Sequence, residues 1–412
     1  MDNKSGGTMP ASTKRMRTSA DSYSRKRRVG VWLARCVLAV GFLAGLYFSV
    51  VPMGRAQARA VLILPDLLSA SLPPWQAPAA EPISSVQTTM TSSTGTVYLD
   101  IYSPTARPPV VPGAWEGMLF IPGVGDERFV PQVVNLSKAL ARIGIVTMVM
   151  TTPALIANRL DVNDENAVVQ ALHVLQRWPG VDPKRVGFFG VSGGGALLCF
   201  AAADPRTEGQ VAFVALIGSY FDATMLLENI GRRAQVVNGQ MEPWQPTDYT
   251  LEVLTETLVP VLSNTDASLL LQAFGSGQEK PLSPDQVAQL SPGSQAFYHL
   301  LAGDQPGHVR ANMAAMPAAA REHLADLSPS RVIGNIHAPV YLLADRNDQF
   351  VPASQSVSFA AALASLHRPY DFAEFGIFQH AEVRSNLSIS PQVLGDSWHL
   401  FLLLTKALQV GT

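Results

Sequence analysis

Ser192, Asp348 and His380 are the residues whose types, order and surroundings point to chemistry: a hydroxyl to attack, a carboxylate to orient an imidazole, and an imidazole to take a proton. Ser192 sits in Gly190-Val191-Ser192-Gly193-Gly194, after the apolar run Val186 to Val191 and before a small-residue stretch that predicts a helix. A serine at the tip of so sharp a strand-to-helix turn is held in strained backbone, and the turn closes only where the residues two before and two after are small. Gly190 and Gly194 meet that need, making the segment a nucleophile elbow. The free N–H groups and positive dipole end of the following helix would stabilise negative charge developing beside the hydroxyl.

The acid and the base follow later strands. Val340 to Ala344 is an apolar run leading into Asp345-Arg346-Asn347-Asp348-Gln349-Phe350-Val351-Pro352, and Tyr370 to Phe375 leads through Gly376 to His380. Asp345 is the main rival to Asp348 and reads as a turn or helix-start acceptor; Asp222, after the run Val211 to Ile217, is a weaker rival. Asp126 reads as the cap of the helix after it. His173 falls inside a helical pattern and His399 in a C-terminal helix, so both read as structural or surface residues, whereas His380 follows a strand downstream of the acid.

The elements that must position these residues alternate. Thr96 to Tyr102 predicts an early antiparallel strand, Gly117 to Ile121 a short one ending at Pro122-Gly123-Val124-Gly125, and Ile145 to Met150 another. Helices are predicted at about 129–143 and over 164–178, where Ala167, Val168, Ala171, Leu172 and Leu175 share a face. Apolar strands separated by amphipathic helices give an α/β class with a mostly parallel sheet covered on both faces.

With these residues in place, the sequence resembles the α/β-hydrolase family over roughly residues 95–220 and 335–410. The resemblance is carried by Val181-Asp182-Pro183-Lys184-Arg185 before the elbow, the elbow itself, the strand ending in Asp348-x-x-Val351-Pro352, and the late His380. It implies Asp348 as the acid, backbone N–H groups of Gly193 and Val124 as the oxyanion hole, and a helical cap inserted at 221–334. The core then comprises 93–220 and 335–412. Many members carry His-Gly where this chain has Pro122-Gly123; backbone donors still serve there. Helical candidates in the insertion are 251–258, 267–274, 283–290 and 309–327.

Lys14, Arg15, Arg17 and Arg25 to Arg28 crowd the polar segment 1–28, and residues 29–51 are almost wholly apolar, interrupted by Arg35. A basic, disordered cytoplasmic tail followed by a transmembrane signal-anchor helix is the expectation, with the catalytic domain extracytoplasmic. A signal peptide cleaved near Ala58 or Ala60 is the other reading. Residues 52–92, rich in Pro, Ala, Ser and Thr, read as a tether, in which Ala60 to Leu64 packs on either the domain or the bilayer.

With 30 basic and 32 acidic residues, a nucleic-acid surface is not expected. Cys36 and Cys199 are the two cysteines, so no structural disulfide is expected, and no spacing suggests a metal or cofactor site. The function indicated is a membrane-tethered serine hydrolase of small-molecule or acyl esters. A peptidase or acyltransferase of the same fold, and a catalytically inactive binding protein that keeps the fold, are the alternatives. Oligomeric state is not readable.

Overall fold

The computed structural model describes residues 37–68, 82–105, 115–275, 277–376, 378–380, 382–383 and 390–410. Eight strands form one sheet: β1 (Ile83–Ser92), β2 (Gly95–Pro104), β3 (Trp115–Ile121), β4 (Ile145–Thr151), β5 (Val181–Val191), β6 (Val214–Ile217), β7 (Val340–Asp345) and β8 (Tyr370–Phe375). Their spatial order is β1-β2-β4-β3-β5-β6-β7-β8. The β1–β2 and β2–β4 pairs are antiparallel and the rest are parallel.

Register brings the ends of the central strands level. Ile121 pairs with Gly190, Gly190 with Leu216, and Leu216 with Leu342. The loops after β3, β5, β6 and β7 therefore leave the sheet at one edge, and the pairing of Phe375 with Asp345 brings the chain after β8 to the same place.

Two hydrophobic cores cover the sheet because its strands alternate. Leu119 and Ile121 of β3 and Val186 and Phe188 of β5 enter one core, packed by α3 (Glu165–Gln176) and α4 (Ser192–Ala203). Met118 and Phe120 of β3 and Val191 of β5 enter the other, with α1 (Pro52–Leu68), α2 (Pro131–Arg142) and the C-terminal helix Pro391–Val410. Fully burying a side chain such as Phe188 contributes roughly 2–3 kcal/mol.

Between β6 and β7 the chain forms an insert. It contains α5 (Ala223–Arg232), a hairpin of Ala234–Val237 with Gln240–Pro243, α6 (Asp248–Leu258), α7 (Asn264–Phe274), α8 (Pro284–Gln289), α9 (Pro292–Ala302), α10 (Val309–Ala315) and α11 (Ala318–Asp326). The single helix expected over 309–327 is two, because Pro317 cannot continue the first. Two helices, α5 and α9, were not anticipated, and the strand expected over 211–217 is confined to Val214–Ile217.

The tether expected over 52–92 is corrected in both its described parts. Residues 83–92 are strand β1, whose threonines suit a half-exposed pleated edge. Residues 52–68 are helical, and Ala56, Ala60 and Ile63, spaced for one helix face, are buried in the second core, whereas Val61 and Leu62 stay exposed. Arg59 grips Glu116 of β3 through both ends of its guanidinium, at 2.9 and 2.7 Å, and Arg185 bonds the same carboxylate. The helix Val37–Val50 is a separate unit with a mostly exposed apolar surface; the rest of the expected span, 29–36, lies outside the described residues, as does the expected tail. Among the described residues no single helix is long and apolar enough to cross a membrane.

Glu116 is 8% exposed, so its removal strands two guanidinium groups near the core. Glu116→Ala is expected to lower the unfolding free energy by about 2–3 kcal/mol. Urea denaturation of the purified protein measures it, and an unchanged midpoint would show that the pairs contribute nothing.

Candidate active site

Strand β5 ends at Val191, and Ser192 opens α4 with φ of 53°, in the left-handed region that a side chain adopts only under constraint. The constraint is contact. A Cβ at position 190 would lie 2.5 Å from the Cα of Gly195, and one at 194 would lie 2.6 Å from the carbonyl oxygen of Ile121. Only bare backbone lets the turn close against β3 and its own helix. Val124, from the loop after β3, lays its side chain over Gly193, where an added Cβ would lie 2.8 Å from Val124 Cγ2.

Asp348 lies in the turn after β7, is 3% exposed and has both oxygens engaged. Its Oδ1 accepts the backbone N–H groups of Phe350 and Val351 at 2.7 and 2.9 Å, and its Oδ2 meets Nδ1 of His380 at 2.6 Å. Three donors on one buried carboxylate leave it no reason to rotate, and with Nδ1 so occupied, Nε2 is the nitrogen available for proton transfer. Gly218, directly after β6, has φ of +55°, and a Cβ there would lie 2.9 Å from the His380 ring. On another side the ring of Phe350 lies 4.8 Å from that of His380.

The rival acids take other parts. Asp345 is the turn acceptor expected of it: Oδ1 accepts from Asn347 N–H at 2.9 Å, while Oδ2 accepts from the backbone N–H of His380 at 3.0 Å, holding that residue's main chain. Asp222 caps α5 by accepting from Met225 N–H at 2.9 Å. Asp126 does not cap: its side chain instead binds Arg128 at 2.7 and 2.9 Å, and that buried guanidinium also reaches Asp100 on β2. A guanidinium two residues away offers a charged, forked partner that outcompetes a single backbone N–H. His173 is half-buried on α3 and His399 is exposed.

Ser192, Gly193, Val124 and His380 share the lining of one cavity of about 610 Å³, within the usual range for a small-molecule site. Most of its wall is apolar. Phe120 and Val133 reach it from the second core, and Leu226, Leu254 and Leu324 from the insert. The insert also holds the loop that carries Asp348. Trp244 Nε1 donates to Asp348 O at 2.6 Å, Thr247 N to Gln349 O at 3.2 Å, and Thr250 Oγ1 to Phe350 O at 3.1 Å.

A central parallel sheet in this strand order, with a serine elbow after β5, an acid after β7 and a histidine after β8 at one edge, decides the architecture. The chain has the α/β-hydrolase fold. No family model matches the sequence, and no curated protein matches it. Among solved α/β-hydrolase structures, Porphyromonas gingivalis dipeptidyl peptidase 4 aligns at 12% identity over 81% of this chain and 36% of its own, with a TM-score of 0.47. A Mycobacterium tuberculosis puromycin-hydrolyzing peptidase aligns at 19% over 72% and 36%, TM-score 0.42. A lipase/esterase from Lactobacillus plantarum aligns at 12% over 71% and 89%, TM-score 0.41. The chain spans about a third of the length of the two peptidases. All these scores are low, and the fold rests on the strand order itself.

Trp244, Gly218 and Phe350 were not among the residues singled out from sequence. Gly218 had a signal, a glycine at the end of an apolar run at the catalytic edge of the sheet. A methyl group there meets the histidine ring, so Gly218→Ala is expected to slow phosphonylation of Ser192 by about 100-fold, while the positive φ costs about 1 kcal/mol of stability. Stopped-assay labelling and thermal melting measure the two separately, and unchanged labelling would show that the ring has room to move.

Proposed function

We propose that the protein is a serine hydrolase that cleaves carboxylic esters of low or moderate polarity through an acyl-enzyme. The observation that carries this reading is the convergence of a strained Ser192 and an Asp348-paired His380 on one largely apolar cavity. His380 Nε2 takes the Ser192 proton as the oxygen attacks the ester carbonyl, and the oxyanion is held by the N–H groups of Gly193 and Val124. The imidazolium, stabilised by Asp348, returns the proton to the leaving alcohol. Water, deprotonated by the same histidine, then releases the acid and restores the serine.

The polar demands of an ester end at its carbonyl, and the apolar wall suits what flanks it. A peptidase or an acyltransferase shares the covalent step and differs in the leaving group or in the acceptor of the acyl group. Lys14 to Arg28 precede the apolar run 29–51, which supports a tail in the cytoplasm and a catalytic domain on the other side of the membrane.

Fluorophosphonate labelling of the membrane fraction tests the chemistry. Labelling is expected in the wild type and absent in Ser192→Ala and His380→Ala, and Asp348→Asn is expected to lower kcat by about 10³- to 10⁴-fold. A folded wild-type protein that neither labels nor hydrolyses a panel of aryl esters would favour an inert binding protein instead. Release of free acid against transfer to an added alcohol separates hydrolase from acyltransferase.

A further inference from the structure

We infer that Tyr249, on the insert's helix α6, is a positioning residue for the oxyanion hole, holding the loop that carries the Val124 N–H from the carbonyl side. The inference rests on the ester-hydrolase reading above and assigns a part to a residue outside the triad.

The Tyr249 hydroxyl donates to the carbonyl oxygen of Val124 at 2.9 Å and lies 3.4 Å from Asn158 Oδ1. Two further bonds secure the next residue: Gly125 N–H donates to Leu155 O at 2.8 Å, and Thr151 Oγ1 donates to Gly125 O at 3.3 Å. Those two come from the hydrolase core, but the bond on Val124 O comes from the insert. A backbone N–H makes a useful oxyanion donor only if it is fixed before charge develops, and anchoring the carbonyl of the same residue restrains the local backbone that orients it. The ring of Tyr249 is fixed in turn. It meets Phe350 edge-on with centroids 6.4 Å apart, and Phe350 lies against His380. Helix α6 thus touches both halves of the machinery: Tyr249 holds the oxyanion loop, and neighbouring Thr250 holds the acid loop through Phe350 O.

Burial pushes the Tyr249 phenol up to about 12, with the carboxylates of Glu127 and Glu252 adding to the effect, so the hydroxyl remains a donor through the neutral range. The consequence is that oxyanion stabilisation depends on α6 staying where it is: displacement of the insert would loosen the oxyanion loop together with the Asp348 loop, whereas loss of the Tyr249 hydroxyl alone would loosen the first and leave the second.

The test compares full-length wild type and Tyr249→Phe in detergent, with p-nitrophenyl butyrate as substrate and an alkyl trifluoromethyl ketone as a mimic of the tetrahedral adduct. Expected is a fall in kcat of about 10- to 100-fold with KM changed less than about threefold, and a matching loss of affinity for the ketone. A merely structural role would lower the melting temperature and raise KM without that correlation, and would overturn the inference; so would an unchanged kcat. If the phenylalanine variant does not fold, 3,5-difluorotyrosine at 249 keeps the ring and the hydroxyl but acidifies it. Its kcat is then expected to fall at alkaline pH where that of the wild type does not, and superimposable pH profiles would overturn the assignment. Loss of hydrolysis in Ser192→Ala alongside full kcat in Tyr249→Phe would remove this inference and leave the proposed function standing. A wild type unreactive toward both ester and fluorophosphonate would remove the function and the inference together.

Discussion

Parallel pairing across the middle of the sheet is the constraint from which the rest of the structure follows. Because Ile121, Gly190, Leu216 and Leu342 form one cross-strand row, four loops are delivered to a common edge at strand spacing, and none of them needs to be long to reach its neighbours. The row itself is held by residues with no chemistry: the alternating apolar side chains that give each strand one partner core on each face. A register slip of one residue would exchange the two cores and point every strand-end loop differently. Precision at the site is therefore inherited from packing well below it.

Backbone strain is spent where this scaffold can hold it. Ser192 and His380 both have positive φ, at 53° and 59°, and each is pinned by a neighbour that leaves little alternative. The elbow is wedged against β3 and α4, and the main chain at His380 is tied to Asp345. Two aspartates three residues apart divide the labour, one orienting the backbone of His380 and the other its ring. Each would be costly to bury alone, and each is offset by hydrogen bonds to N–H groups.

What the sequence revealed was whatever is decided locally. The elbow, the strands leading to Asp348 and His380, and the amphipathic helices are written in residues close together in the chain, and the structure brings Ser192 and His380 to one cavity, with Asp348 bonded to the histidine. Composition misled where it averaged over different structures. Proline, serine and threonine in 69–94 masked the 56, 60, 63 spacing of a helix face, and so a packed helix and an edge strand read as a tether. Asp126 misled because two uses for a carboxylate lay within two residues, and only the buried position of Arg128 decides between them. Tyr249 and Trp244 were invisible for another reason: each acts across more than a hundred residues of sequence, through an insert whose fold no local pattern dictates.

The cavity's position between the two cores has a thermodynamic side. Phe120 and Val133 belong to one core and Leu226 and Leu324 to the other, so an apolar ligand filling the space would act as a missing piece of both. Occupancy and folding are then linked quantities. An apolar ligand present at a hundred times its dissociation constant would add about 2.7 kcal/mol to the unfolding free energy. The stability of this protein is thus a property of its chemical surroundings as well as of its chain, and the compounds that most raise its melting temperature would outline the shape of what it binds.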